Sequence, residues 1–360
     1  METLPRRLRL IGKPLCVDAF TVELSSMKTT ATLGVIVALL VPAASVAHHS
    51  NAMFDMQRTI TLSGIVTRYE WTNPHVYVYL ETGSGGEAAV WEIEGGSPTM
   101  MERFGWFADS LKPGDRVIVE ANPARNASRR MGYAASMRKE GSAALNVHGV
   151  PSISADPVAV VPAPSLSGNW LPTTPSHLPF IVPPTAWSLT DQGRAVMAGF
   201  SEAQNEGLDC VSLPAPFVMV WPDLKQIELR DDVAIIRVAL IDDVERVVHM
   251  GVRSHDGAEL SNQGHSIGRW EGSALVVDTT KFAAHSSGNR AGLRSSPRKH
   301  VVERFELSSD RTRLTYSYVL EDPEYLLQPF AGSSVWVHRP DLTYTGYNCD
   351  VGNARRFVGP

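Results

Sequence analysis

Histidines near the start of the chain are the first residues whose types could do chemistry. His48 and His49 are adjacent, and Asp55 and His75 follow. Imidazole nitrogens suit Cu(II), and a carboxylate adds an oxygen ligand. If His48 began the mature chain, its amine and ring nitrogen could chelate one ion, because a metal displaces the amine proton near neutral pH. These four residues are candidate copper ligands; the alternative is a frayed polar terminus, with His75 only capping a strand.

A second group of reactive side chains lies further along, around His265. A histidine beside a carboxylate can act as a general acid or base, because its reference pKa lies near physiological pH. His265, Glu271 and Asp278 are therefore candidate catalytic residues. Candidate ligand-binding residues, chosen for charge or for apolar walls, are Arg269, Trp270, Lys281, Phe282 and Tyr325. The alternative is a tight hairpin with a packed tryptophan.

The segment before His48 has the pattern of a secretion signal. A basic start at Met27–Thr30 precedes an apolar run and small residues that end at Ala47. This pattern predicts a signal peptide over 27–47, cleavage after Ala47, and a periplasmic or secreted protein. The apolar run is shorter than the ~20 residues that cross a bilayer, so we expect no retained transmembrane segment. Residues 1–26 fit no signal and suggest that translation begins at Met27; a membrane anchor or buried helix is the alternative for the apolar run.

Composition limits the classes of partner. The chain has 360 residues and a net charge of −5 at pH 7, which argues against nucleic acid as a partner. Cys210 and Cys349 are the two cysteines that follow the signal. Two cysteines in an oxidising compartment predict one disulfide, with two free thiols as the alternative.

Alternating apolar residues predict a small OB-like barrel over residues 48–145. The pattern gives a short helix over Pro98–Phe107 with Ser97 as its N-cap. The predicted strands are Thr59–Trp71, His75–Glu81, Ala88–Glu94 and Arg116–Glu120.

Residues 146–164 are rich in proline and predict an interdomain linker. Residues 165–357 predict one helix, Leu189–Ala203, with Thr190 or Asp191 as its N-cap. Short strands follow at regular intervals, which favours a larger antiparallel β-barrel (lipocalin-like) or a sandwich. A barrel of this size can hold one small ligand. The predicted strands are Phe217–Trp221, Lys225–Arg230, Val233–Leu240, Arg246–Gly251, Ala274–Thr280, Val301–Leu307, Arg313–Leu320 and Ser334–Arg339.

Two sets of motifs resemble known families. The first resembles DUF6152, a secreted bacterial domain of unknown function, through Ala47-His48-His49-Ser50, Phe54-Asp55, Gly64-Ile65-Val66, Trp71-Thr72-Asn73-Pro74-His75 and Leu111-Lys112-Pro113-Gly114-Asp115. The second resembles another group of uncharacterised secreted bacterial proteins, through Gly264-His265-Ser266-Ile267-Gly268-Arg269-Trp270-Glu271-Gly272, Leu275–Thr280 and Asp322-Pro323. That group often has Asp-Thr after the Glu-Gly turn, where this chain has Ser273-Ala274, which weakens a catalytic role for the turn. Each resemblance implies membership of the family concerned, and neither implies a particular activity.

The sequence therefore predicts an exported mainly β protein that binds a small ligand, with copper at His48 as the specific candidate. The competing hypothesis is a periplasmic isomerase or lyase that acts on an apolar small molecule through His265 and a carboxylate. A structural or interaction module is the third. No phosphate loop, dinucleotide fingerprint or nucleophile elbow occurs in the sequence, so the common hydrolase, kinase and dehydrogenase classes lack support.

Overall fold

The structure is a computed structural model, and it describes residues 53–148, 161–173, 187–289 and 292–356. These residues belong to one compact unit. They form two β-barrels in succession, which confirms the predicted mainly β architecture. Within these ranges, no helix is both long enough and apolar enough to cross a membrane.

The first barrel has five main strands and a short sixth. Its sheet order is β3-β2-β1-β4-β5-β6, and parallel pairing of β3 with β5 closes it. Inward residues such as Val66, Leu80, Ile93 and Val119 are fully buried and form its core. The strands are β1 (Ile60–Glu70), β2 (Tyr77–Thr82), β3 (Ala89–Glu94), β4 (Arg116–Pro123), β5 (Met131–Lys139) and β6 (Leu145–Asn146).

The helix of this barrel, α1, covers Pro98–Glu102. The predicted cap is confirmed, because the Ser97 side chain accepts a hydrogen bond from the Met100 N–H at 3.3 Å. The helix is shorter than predicted because the backbone turns at Gly105, whose φ is 88°. A left-handed residue of this kind ends a helix.

The second barrel is closed and contains nine strands within the described residues. They are β7 (Gly168–Pro172), β8 (Lys225–Leu229), β9 (Val233–Val238), β10 (Val244–Met250), β11 (His265–Glu271), β12 (Ala274–Thr280), β13 (His300–Leu307), β14 (Arg313–Glu321) and β15 (Phe330–His338). Each strand pairs with the next in sequence, and β15 pairs with β7 to close the ring. Of the two predicted architectures, the structure confirms the barrel and not the sandwich.

One neighbouring pair in this ring is parallel, namely β10 with β11. A closed ring with an odd number of strands cannot alternate in direction all the way round, so at least one pair must be parallel. A parallel pair needs a crossover rather than a tight hairpin. Residues 251–264 provide it, and they cross the outside of the barrel between the two strands.

Large side chains fill the inside of the second barrel. Trp170, Phe305, Tyr316 and Trp336 are completely buried there and pack in one cluster. The barrel interior is therefore a packed core in the described region. This differs from the ligand-holding interior that the barrel's size suggested.

Helices cover part of this core. The helix α2 (Asp191–Ala198) begins after the predicted cap, since Thr190 Oγ1 accepts a hydrogen bond from the Gly193 N–H at 2.9 Å. The segment predicted as a strand at Phe217–Trp221 is instead a short helix, α3 (Phe217–Val220). That prediction was wrong because a short apolar run does not distinguish a strand from a helix buried on all sides. All four residues of α3 are fully buried.

The predicted disulfide between Cys210 and Cys349 is present, and it closes a loop of 139 residues. It fixes the C-terminal segment, which continues to the helix α4 (Val351–Ala354). This segment also contacts the first barrel. Asn353 Nδ2 donates to Thr72 Oγ1 at 2.8 Å, and Arg356 Nη1 donates to Glu70 Oε2 at 2.8 Å.

Candidate functional site

The adjacent strands β10 to β14 of the second barrel carry polar side chains on their outer face. Ile267 of β11 lies opposite His249 of β10 on one side and Asp278 of β12 on the other. These residues face outward because their strand neighbours, such as Val248 and Val277, are buried in the core. The group that results is called the histidine row; its members are His249, His255, His265, Asp278, His300 and Glu321.

Hydrogen bonds connect most of the histidine row. His255 is central, with its Nδ1 2.9 Å from Nδ1 of His265 and its Nε2 3.2 Å from Oδ1 of Asp278. The same Oδ1 lies 3.2 Å from Nε2 of His300. His300 continues to Glu321, with 3.3 Å between Nδ1 and Oε2. The His249 ring stacks on the His265 ring, with 5.0 Å between centroids.

The charges of the row follow from these contacts. The hydrogen bond from His300 lowers the pKa of Asp278, and the same bond raises the pKa of His300. Burial, followed by the neighbouring His249 and His255, lowers the pKa of His265. Asp278 is therefore a carboxylate that only accepts hydrogen bonds. His255 must donate to it from Nε2, so in neutral His255 the Nδ1 lone pair faces His265.

A cavity of about 760 Å³ lies next to the row, and its lining residues come from β10, β11, β12, the crossover and the turn after β8. His255 and Asp278 belong to both the row and the cavity wall. The apolar part of the wall includes Met250, Val252 and Trp270. Besides Asp278, its charged part contains Arg230, Asp231, Arg253 and Arg269. The site thus combines apolar surface, several cations and a histidine–carboxylate pair.

The arginines of the cavity are not equivalent. Arg269 is paired with Glu271 at 2.7 Å, and Arg230 is paired with Glu228 at 2.8 Å. Within the described parts of the chain, the Arg253 side chain makes no hydrogen bond or ion pair. Arg253 lies in the crossover, and its guanidinium is available to a ligand.

The structure brings some of the predicted catalytic residues together and separates others. His265 reaches Asp278 through His255, which the sequence did not single out. Glu271 lies at the opposite end of β11, about 20 Å along the strand from His265. There it forms ion pairs with Arg269 and with Arg304, so it does not join the histidine row.

Some of the predicted ligand-binding residues line the cavity and others do not. Arg269 and Trp270 line the cavity. Phe282 and Tyr325 do not, because their exposed fractions are 0% and 6% and both pack in the barrel core. Lys281 follows β12 and acts electrostatically on His265, but it is not part of the cavity wall.

The predicted copper ligands are only partly visible. His48 and His49 lie outside the described residues. His75 Nδ1 lies 3.2 Å from the Gly95 carbonyl oxygen and 3.3 Å from Oε1 of buried Glu94, whereas Asp55 accepts a hydrogen bond from the Gln57 N–H. In the part of the chain that the structure describes, no group of three or more His, Cys, Asp or Glu side chains is arranged to hold a metal ion.

Sequence reasoning missed His249, His255 and His300. They are spread over more than fifty positions along the chain, and no local spacing links them. Only the strand register of a closed barrel places them on one surface. The sequence offered a signal only for His300, which directly precedes the predicted strand Val301–Leu307.

Residues 36–133 match the model of DUF6152, a family of unknown function. The match reaches into β5 and so covers most of the first barrel. It does not reach the histidine row or the cavity. No curated protein matches the chain.

Proposed function

We propose that the protein binds a small ligand in the cavity beside β10 and β11, and that this ligand has an apolar body and a carboxylate. The observation that carries the proposal is Arg253, which has no partner among the described residues and lies in a wall that also contains Trp270. A guanidinium matches a carboxylate with two parallel hydrogen bonds. The resident ion pairs of Arg269 and Arg230 leave Arg253 as the cation with no competing partner in the described residues.

The size and the lining of the cavity support this class of ligand. Small-molecule sites typically have volumes of about 300–1,000 Å³ and combine apolar walls with a few polar groups that set orientation. The cavity, at about 760 Å³, falls in this range. Trp270 is 49% exposed, so a large aromatic surface is available to an apolar ligand.

Calorimetric titration with 3-phenylpropionate tests the proposal, with 3-phenylpropanol as the uncharged counterpart. We expect the carboxylate to bind at least tenfold more tightly, and we expect Arg253→Ala to remove this preference. Arg129→Ala is the matched control, because Arg129 is an exposed arginine of the first barrel. Equal binding of acid and alcohol, unchanged binding by Arg253→Ala, or no binding of either probe would contradict the proposal.

We propose further that the protein is exported and that His48 binds copper. The support is the three-part signal that ends at Ala47 and the two nitrogen donors that a terminal histidine offers. N-terminal sequencing of the exported protein should begin at His48. Copper titration should show one bound ion fewer per protein when one residue precedes His48; an equal number of bound ions in both forms would exclude the terminal chelate.

An isomerase or lyase is the second candidate, and the hydrogen-bonded series His265–His255–Asp278 favours it. Asp278 orients His255, and His255 in turn accepts the Nδ1 hydrogen of His265, which leaves Nε2 of His265 as the base. Phenylpyruvate in D₂O is a suitable probe, because enolisation moves a C3 proton to the base and deuterium returns to carbon. His265→Gln and Asp278→Asn should each abolish accelerated exchange. Exchange no faster than in buffer would exclude this reaction and leave the binding proposal standing.

A further inference from the structure

We propose that His255 and His265 bind one divalent transition-metal ion through their facing Nδ1 atoms, and that Cu(II) fits this pair best. The site is separate from the terminal histidines and lies on the outer face of the second barrel. It does not depend on a ligand in the neighbouring cavity.

The distance between the two nitrogens is compatible with both of them binding one ion. Imidazole nitrogens bind such metals at about 2.0–2.1 Å. Two ligands at a right angle around one ion are then about 2.9 Å apart, whereas two tetrahedral ligands are about 3.3–3.4 Å apart. The observed Nδ1–Nδ1 distance is 2.9 Å. The two nitrogens are therefore close enough to bind one ion, and nitrogen donors bind Cu(II) more tightly than Zn(II).

The hydrogen bond on the far side of His255 is the one that metal-binding histidines usually make. Such histidines donate their other ring N–H to a carboxylate or carbonyl, which fixes the tautomer and orients the ring. His255 Nε2 donates to Asp278, and Asp278 is itself fixed by His300. The Nδ1 atom of His255 is thereby kept unprotonated, with its lone pair on the side of the ring that faces His265.

Binding requires one proton to move. In the metal-free pair, the short contact needs a hydrogen on Nδ1 of His265, because Nδ1 of His255 is an acceptor. When the ion binds, that hydrogen leaves Nδ1 and a hydrogen is carried on Nε2 of His265 instead, which gives the other neutral tautomer. Both histidines then donate a lone pair to the ion, and the net charge of the two rings is unchanged.

The coordination shell remains partly open. Because the described residues contain no group of three or more suitable side chains, the other equatorial positions fall to water. The His255 side chain is 19% exposed and lines the cavity, so ions reach it from solvent. The stacked His249 ring covers one face of His265 and limits how far that ring can turn.

The test uses full-length mature protein with one extra glycine before His48, so that the terminal chelate is blocked. Calorimetric titration with Cu²⁺ should give one site, and electron paramagnetic resonance should show coupling to two imidazole nitrogens. His255→Gln and His265→Gln should each weaken binding at least 100-fold. Asp278→Asn should weaken it about 10–100-fold, as for other hydrogen-bond partners of metal ligands.

Glu259→Gln is the matched control, because Glu259 is an exposed carboxylate in the same crossover. It should bind Cu²⁺ like the parent protein, and Zn²⁺ should bind the parent more weakly than Cu²⁺. Thermal unfolding without metal must show that each variant is folded. Absence of Cu²⁺ binding, or binding that survives both histidine substitutions, overturns the proposal. Titration of 3-phenylpropionate in the presence of EDTA tests the cavity independently of the metal.

Discussion

Arg246 and Glu303 form a two-point ion pair inside the second barrel. Nη1 and Nη2 of the arginine lie 2.8 and 2.5 Å from the two carboxylate oxygens, and both side chains are essentially inaccessible to water. Tyr316 donates a further hydrogen bond to Glu303 at 2.8 Å. The pair joins β10 to β13 across the core, so each charge depends on the other for solvation.

Removal of one partner should be costly. We expect Arg246→Met to lower the free energy of unfolding by about 3–5 kcal/mol, because Glu303 would remain buried and uncompensated. Urea denaturation measures this change. Arg237→Met is the control, since Arg237 pairs with Glu228 and Glu245 at the surface, and its loss should cost less than about 1 kcal/mol. Similar losses for both variants would contradict the expectation.

Lys299 should make stability depend on pH. Burial lowers the pKa of its ammonium group to about 7, against about 10.4 in an unfolded chain. Between these values the unfolded chain binds a proton that the folded protein does not, so the free energy of unfolding should rise as the pH increases from 7 to 9. The rise from this residue is on the order of 1 kcal/mol per pH unit.

Replacement of Lys299 isolates its share of this effect. We expect Lys299→Met to reduce the pH dependence of the urea midpoint between pH 7 and 9 without abolishing it, because burial also lowers the pKa of Lys225 to about 7. Lys139→Met, at a half-exposed lysine of the first barrel, should leave the slope as it is. An unchanged slope in Lys299→Met would mean that this amine stays charged in the folded protein.

The disulfide should contribute to stability by restricting the unfolded chain. A closed loop of 139 residues predicts about 2–5 kcal/mol from Cys210–Cys349. The Cys210→Ser/Cys349→Ser variant should lose this amount in urea denaturation, and reduction of the parent protein should produce the same loss. A reductant effect on the double variant would show that something else is being reduced.

Two glycines at the ends of β11 should tolerate alanine differently. Gly264 and Gly272 both have positive φ, at 70° and 62°. A Cβ at Gly264 would lie 2.6 Å from the Thr280 carbonyl oxygen, whereas one at Gly272 would meet nothing within 4 Å. Gly272→Ala should cost about 1 kcal/mol for its backbone alone. Gly264→Ala should cost clearly more; equal urea midpoints for the two variants would refute the steric argument.

The sequence predicted strands well where one face is buried and the other is exposed to solvent. The interval Ala274–Thr280 matches β12 residue for residue, and Arg313–Leu320 falls one residue short of β14. Strands with glycine or weak alternation were missed. In β11, Gly268 reads as a turn, but it is required inside the barrel, where a Cβ would lie 2.4 Å from the Met250 sulfur.

The candidate site was predictable only in part. His265, Arg269, Trp270 and Asp278 were found because they are close together in sequence. The central His255 was not, since its role depends on a crossover that runs over the barrel wall. The separation of Glu271 from His265 follows from extended geometry, because residues near in sequence lie far apart along a strand.

The C-terminal segment brings residues from near the two ends of the described chain into contact. Arg356 contacts Glu70 of β1, and the two residues are 286 positions apart in sequence. Every strand of both barrels is complete by His338, yet part of the attachment between the barrels comes after it. The end of β1 at Glu70 is therefore contacted by a segment that lies far downstream of its own barrel in the sequence. A protein truncated after β15 would retain both sheets and the ion pair of Arg103 with Asp223. It would lose the contacts that the C-terminal segment makes with the first barrel.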